Sequence, residues 1–296
     1  MTPDPAAFDA ASPVAERERA YSPSSCIGGD YRPFVQAYVD RSAAVRQRHT
    51  GRCGLAYGPA ASQTLDLFLP PPTRAGAPLP PLLVFIHGGY WQELSKNESL
   101  FAAEDCLAAG AAFAAVDYTL APHATVEQMV RECRQALRWL HAHAAELGFD
   151  GRRIVVAGSS AGAHLSAMCC LRGWPGDADL PPGLPAAAVL VSGVYELAPL
   201  IGTSINAAPA LTPESAARVS PLRFDLSGVP PVLVCWGDIE TDAFKRQSQA
   251  FADGIAAATG RPVPRLEVPG RNHFDVILDL ARTGSALGDG TLGLLQ

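Results

Sequence analysis

The sequence predicts a single α/β domain: a mostly parallel central sheet of about eight strands with helices on both faces. Three observations predict it. From residue 82 onward, short apolar runs alternate with stretches of helical length, the pattern of repeated right-handed βαβ crossovers. Runs such as Leu82 to Ile86 are apolar throughout, as a strand covered on both faces requires. Finally, the run Arg153 to Ala157 ends in Gly158-Ser159-Ser160-Ala161-Gly162 and passes directly into a helical stretch. That is the pattern of a tight strand-to-helix turn.

The elements follow in order. Residues 1 to about 30 carry Pro3, Pro5, Pro13, Pro23 and Gly28-Gly29, and read as a flexible N-terminal arm. Residues 31 to 296 then form the single domain. In its first stretch, Phe34, Val35, Tyr38, Val39 and Val45 recur at helical spacing. The spacing predicts a helix over Tyr31 to Arg48, and residues 31–50 are a candidate cap over one face. Cys53 to Tyr57 and Gln63 to Leu69 read as strands, the second with period-two alternation. Prolines then mark a surface connection up to Pro81. After the strand Leu82 to Ile86 come a helix over Ser99 to Ala109 and a strand over Ala112 to Val116. A long helix, Val126 to Leu147, closes with Gly148. The strand Arg153 to Ala157 leads into the helix Ala163 to Leu171. Further strands are expected at Ala187 to Val191, Pro231 to Trp236 and Val263 to Val268. Helices are expected over Asp242 to Ala258 and from about Phe274. Gly173 to Pro185 and Pro199 to Ser227 interrupt the alternation and belong at the surface, at the mouth of any pocket.

Composition narrows the function classes. At 296 residues and 48% hydrophobic, the chain has ample material for one buried core. A net charge of −6 with no basic run argues against nucleic acid or an anionic membrane as partner. The seven cysteines are scattered, mostly within apolar runs, and suit reduced core-filling thiols. No metal site and no cofactor motif is expected. Residues 1–20 lack the apolar core of a signal peptide, and no apolar run reaches the ~18 residues of a membrane span. A cytoplasmic protein is the expectation, and a homodimer is compatible with the sequence.

The strand-to-helix turn carries the chemistry. It forces Ser160 into a strained backbone conformation, and Gly158 and Gly162 let strand and helix crowd around it. Ser160 Oγ then projects above the sheet, with the N–H of Ala161 aimed where an oxyanion forms. Hydroxyl attack near pH 7 needs a base, an acid to orient that base, and oxyanion donors. In folds with this turn the chain order is serine, acid, histidine. Of the seven histidines, His273 follows the last strand and fills the vacant slot. His164 sits four residues past Ser160 on its own helix, and His49 and His123 precede the serine. The acid belongs after the strand ending at Trp236, where Asp238, Glu240 and Asp242 are all available. The strand Leu82 to Ile86 runs into His87-Gly88-Gly89-Tyr90-Trp91. Two glycines there let the main chain approach a substrate, so the N–H groups of Gly89 and Tyr90 are expected to join that of Ala161. His87 reads as a structural residue holding this loop.

These segments resemble arylformamidases, also called kynurenine formamidases, within the α/β-hydrolases related to hormone-sensitive lipase. The resemblance rests on His87-Gly88-Gly89-Tyr90-Trp91-Gln92, on Asp117-Tyr118-Thr119-Leu120-Ala121-Pro122, and on the segment Gly158 to Leu165. It continues through Val191-Ser192-Gly193-Val194-Tyr195-Glu196-Leu197, Phe244 to Ser248, and Asn272-His273-Phe274-Asp275. It implies an α/β-hydrolase fold, a Ser160 nucleophile, a His273 base, and an oxyanion hole at Gly89 and Tyr90. The family carries aspartate three residues after a glycine where this chain has Glu240. The resemblance therefore implies Glu240 as the acid, with Asp238 in reserve. Tyr90, Trp91 and Ser159 are the expected substrate contacts. The implied reaction is hydrolysis of N-formyl-L-kynurenine or a similar aryl formamide. The alternatives are a carboxylesterase of short acyl esters and a hydrolase-fold binding protein without catalysis.

Overall fold

The structure, a computed structural model, describes residues 10–72, 76 and 78–296. Eight strands form one sheet: β1 (Arg52–Ala56), β2 (Thr64–Phe68), β3 (Leu82–Ile86), β4 (Ala112–Val116), β5 (Ile154–Ser159), β6 (Ala187–Val191), β7 (Val232–Ile239) and β8 (Arg265–Asn272). Their order across the sheet is β1-β2-β4-β3-β5-β6-β7-β8. β1 with β2, and β2 with β4, pair antiparallel; every pair from β4 through β8 is parallel. This is the α/β-hydrolase fold.

The helices are α1 (Val14–Ala20), α2 (Arg32–Arg48), α3 (Ala103–Ala108), α4 (Val126–Leu147), α5 (Ala161–Cys170), α6 (Pro213–Arg218), α7 (Asp242–Thr259) and α8 (Ala286–Leu295). The central strands are sandwiched, and their side chains alternate between two cores. Leu82, Val84 and Ile86 of β3 join the core under α4, α5 and α7. Leu83 and Phe85 join the opposite core with residues of α2, α3 and α8. Burial on both faces is why β3 to β6 read as unbroken apolar runs.

The strand order positions the site. After β3 the chain steps outward to β4 and then back across to β5, which lies on the other side of β3. The direction of winding thus reverses between β3 and β5. In open parallel sheets, the crevice above such a switch point is where ligands gather. β3 ends there at Ile86, ahead of His87-Gly88-Gly89, and β5 ends at Ser159, ahead of Ser160.

Two expectations fail. Residues 1–9 lie outside the described residues, but residues 10–30 are not a loose arm: α1 and a 3-10 turn at Pro23–Ile27 fold onto the body. Tyr21 is wholly buried, and the Arg17 guanidinium donates to the carbonyls of Pro199 (2.7 Å) and Ile201 (2.5 Å). Proline content hid this, because tertiary anchoring overrides weak local propensity. Nor does a helix begin near Phe274. Asn272 Oδ1 accepts from the N–H groups of Phe274 and Asp275, and Asp275 Oδ1 accepts from Asn272 N. These side-chain bonds impose a turn in place of a helix start. A 3-10 turn at Val276–Asp279 follows, and α8 begins only at Ala286.

Candidate active site

Ser160 occupies the sharp turn between β5 and α5, with φ 57° and ψ −121°. A non-glycine residue there stores strain, of order 1–3 kcal/mol, that its surroundings must hold. They do so through the main chain: Ser160 N donates to Val191 O at 2.8 Å, and Ser160 O accepts from His164 N at 3.1 Å. Glycine is obligatory beside it. A Cβ on Gly162 would stand 2.0 Å from the carbonyl oxygen of Ile86. Ala161 opens α5, so its N–H has no partner within the helix.

β8 delivers the histidine. His273 is buried just past the strand end, with its ring against Phe244 (centroids 4.5 Å apart) and Phe274 (5.3 Å). Its Nδ1 lies 3.0 Å from Glu240 Oε2. Glu240 follows β7, and its other oxygen, Oε1, accepts from Ser192 Oγ and from Gly237 N, both at 2.6 Å. Both carboxylate oxygens are thus engaged, which fixes the orientation of the group. Of the three carboxylates in this segment, Glu240 alone meets His273. Asp238 is exposed, and Asp242 lies in the first turn of α7.

Ser160 and His273 line one cavity of about 400 Å³, together with Ser159, Gly88, Gly89 and Tyr90. Its aromatic wall includes Tyr31, Tyr38, Phe85, Phe101 and Phe274. Gly89 takes φ +92°, and a Cβ there would meet Glu93 O at 2.3 Å. Tyr90, at φ 47°, is also left-handed. The preceding His87 stacks on Tyr118 (centroids 4.4 Å, 12° between planes), and the Tyr118 hydroxyl donates to His87 O at 3.0 Å. Burial pushes the His87 imidazole below its usual pKa. A neutral, stacked ring suits a residue that holds the glycine loop.

Trp91 is placed differently from the expectation. It is fully buried, does not line the cavity, and donates its Nε1–H to His164 Nδ1 at 3.2 Å. It therefore packs behind the loop and is not a substrate contact. The left-handed backbone at Tyr90 and Trp91 sends the two side chains to different places. Sequence reasoning also missed several residues. Ser192 braces Glu240; its only signal was membership in the Ser192-Gly193-Val194-Tyr195 segment. Glu18, Tyr21, Ser22 and Ser24 line the cavity from the supposed arm, and nothing local in the sequence marks them. Among the described residues, no group of His, Cys, Asp and Glu is arranged to hold a metal ion. No described helix is long and apolar enough to cross a membrane.

A hydroxyl at a strained bend, a buried imidazole lining the same cavity and a braced carboxylate can perform acyl transfer by nucleophilic attack. Comparison with known proteins agrees in kind. A family model described as BD-FAE matches residues 65–176. A kynurenine formamidase of Danio rerio is 32% identical over 275 residues, covering 90% of each chain. Esterase LipC of Mycobacterium tuberculosis is 30% identical over 80% of this chain and 63% of its own. Among solved structures, a thioesterase candidate from Silicibacter sp. TM1040 superposes with a TM-score of 0.77 at 28% identity. That superposition covers 93% of this chain and 97% of the other.

Proposed function

Because the chain belongs to the kynurenine formamidase family of α/β-hydrolases and so hydrolyses esters or amides, we propose that its substrate is an aryl formamide, N-formyl-L-kynurenine first, cleaved to formate and the free arylamine. The observation that carries this reading is the aromatic cavity opening onto Ser160. Seven tyrosine and phenylalanine rings line it, Tyr31, Tyr38, Phe85, Tyr90, Phe101 and Phe274 together with Tyr21, a setting that receives an aryl leaving group by stacking and edge contacts.

In the mechanism, Ser160 Oγ attacks the formyl carbon while the free nitrogen of His273 takes the hydroxyl proton. Glu240 holds the opposite nitrogen and stabilises the imidazolium that forms. The N–H groups of Gly89, Tyr90 and Ala161 donate hydrogen bonds to the formyl oxygen as negative charge develops on it. Collapse breaks the C–N bond, and the imidazolium returns its proton to the departing amine. Water, deprotonated by the same imidazole, then hydrolyses the formyl-enzyme and releases formate.

A second reading, a carboxylesterase of short acyl esters, is supported by the likeness to esterase LipC. It uses the same groups and differs in the acyl group carried by the serine and in the leaving group, an alcohol in place of an amine. The test is the specificity constant for N-formyl-L-kynurenine against nitrophenyl acetate, with wild type and Ser160→Ala. The formamidase reading expects the formamide to be the better substrate and Ser160→Ala to abolish both activities. A clear preference for the ester moves the assignment to the second reading, and turnover that survives Ser160→Ala removes both.

A further inference from the structure

Three buried carboxylates elsewhere in this chain face cations. Asp66 sits with Arg46 and Lys96, Glu196 with Arg223, and Asp279 with Arg271. The cavity at Ser160 is built differently. Three carboxylates line it, Glu18 from α1 and Glu93 and Glu98 from the loop between β3 and α3, and no lysine or arginine does. None of the three joins an ion pair among the described residues. Their partners are neutral donors: Ser204 N–H and hydroxyl on Glu18, the Tyr31 hydroxyl on Glu93, and the Ser95 hydroxyl on Glu98. Neutral donors fix the carboxylates without cancelling their charge. Into the same cavity faces Ser160, more than nine-tenths buried, whose Oγ has no hydrogen-bond partner among the described residues.

A concave wall carrying one sign of charge over low-dielectric material focuses its field into the cleft. Here the field is negative, and nothing in the lining answers a second negative charge. We propose that the site selects substrates bearing an ammonium group on the part that departs from the acyl carbon, and discriminates against those whose only charge there is a carboxylate. The inference deepens the hydrolase reading above and rests on it: it names the substrate class by its charge. An amino-acid side chain on the aryl ring fits, since its ammonium meets Glu18, Glu93 or Glu98. Its own carboxylate is left to neutral donors such as the Ser22 and Ser24 hydroxyls, which line the same cavity.

The test uses the full-length protein and three aryl formamides that differ only in the ring substituent: aminoethyl, ethyl and carboxyethyl. An aryl acetate series with the same three substituents runs in parallel. The expected order of kcat/KM is ammonium, neutral, carboxylate, with about tenfold between neighbours at low ionic strength, and the spread shrinking at high salt. In the double variant Glu93→Gln with Glu98→Gln, the ammonium-to-neutral ratio should fall towards one. Glu18→Gln is the second variant, read the same way if the double variant is poorly folded. A wild-type ratio at or below one overturns the proposal, as does a ratio unchanged in both variants. If the formamides are not cleaved but the acetates are, the formamidase reading fails, while the acetate series still reads the charge preference.

Discussion

The Tyr90 hydroxyl donates to the main-chain carbonyl of Tyr21 across 2.5 Å. One bond thus ties the loop proposed to stabilise the oxyanion to the N-terminal segment. Tyr21 is itself locked in place. The carbonyl before it, on Ala20, accepts from Thr241 Oγ1, and its own hydroxyl accepts from Gln247 Nε2. Tyr90 is held in a left-handed conformation that a bulky residue seldom adopts. The aim of its N–H therefore depends on what restrains its ring.

Tyr90→Phe tests that dependence. It keeps the ring and the main chain but removes the hydroxyl that donates to Tyr21 O. A hydrogen bond of this kind contributes about 0.5–1.5 kcal/mol net. Expressed wholly in the transition state, that is up to about tenfold in kcat. KM should move little, since the ring still lines the cavity. Steady-state kinetics separate the two parameters; an unchanged kcat would mean that the bonds from Gln92 N and Glu93 N to Gly89 O hold the loop alone.

The acid is tested by contrast. Glu240→Ala should lower turnover by about 10⁴-fold, the scale of losing the group that orients a catalytic imidazole. Asp238→Ala should stay within about twofold, as expected of an exposed surface substitution. Ser192→Ala removes one of the two braces on Glu240 Oε1 and should fall between them, near tenfold. The three kcat values, measured on one substrate, rank the roles. A large effect at Asp238 would reverse the assignment.

The legibility of the chain in sequence followed how local each determinant is. The strands β3 to β6 and the turn at Ser160 were readable because burial on both faces and a tight bend leave their mark within a few residues. The place of His273, directly after β8, was readable from chain order. The choice of Glu240 over Asp238 was not readable from the residues alone. It depends on which side chain points inward where β7 ends, and the pairing of β7 with β8 shifts register between Gly237 and Ile239. Trp91 and the segment from Arg17 to Ser24 were misread for one reason. Their positions are set by partners far along the chain, such as His164, Pro199 and Gln247.

Gly162→Ala probes the crowding at the bend. The added methyl would lie 2.0 Å from Ile86 O and 2.7 Å from His87 O, both main-chain atoms that cannot rotate aside. Either α5 moves off the sheet or the strand end shifts, and both displace Ser160. Overpacking of this kind costs about 1–3 kcal/mol or more. Thermal unfolding should show a Tm lower by several degrees, with activity lost further than stability alone accounts for. A normal Tm would show that the helix can back away without strain.

His164 gives the fold an acid-sensitive point. It is wholly buried beneath the bend, its Nε2 against Val219 O at 2.6 Å and its Nδ1 accepting from Trp91 Nε1. Both ring nitrogens are satisfied only in the neutral form, and burial lowers its pKa from 6.5 to about 4. The unfolded chain therefore binds a proton that the folded chain refuses between those values. Stability is full above about pH 6.5 and declines as pH falls towards 4, by at most about 3 kcal/mol from this group. Urea midpoints measured from pH 7 to pH 4 should show the decline. His164→Gln, though less stable at pH 7, should show a flatter slope over that range. An identical slope in the variant would place the acid sensitivity elsewhere, with His87 the next buried imidazole to substitute.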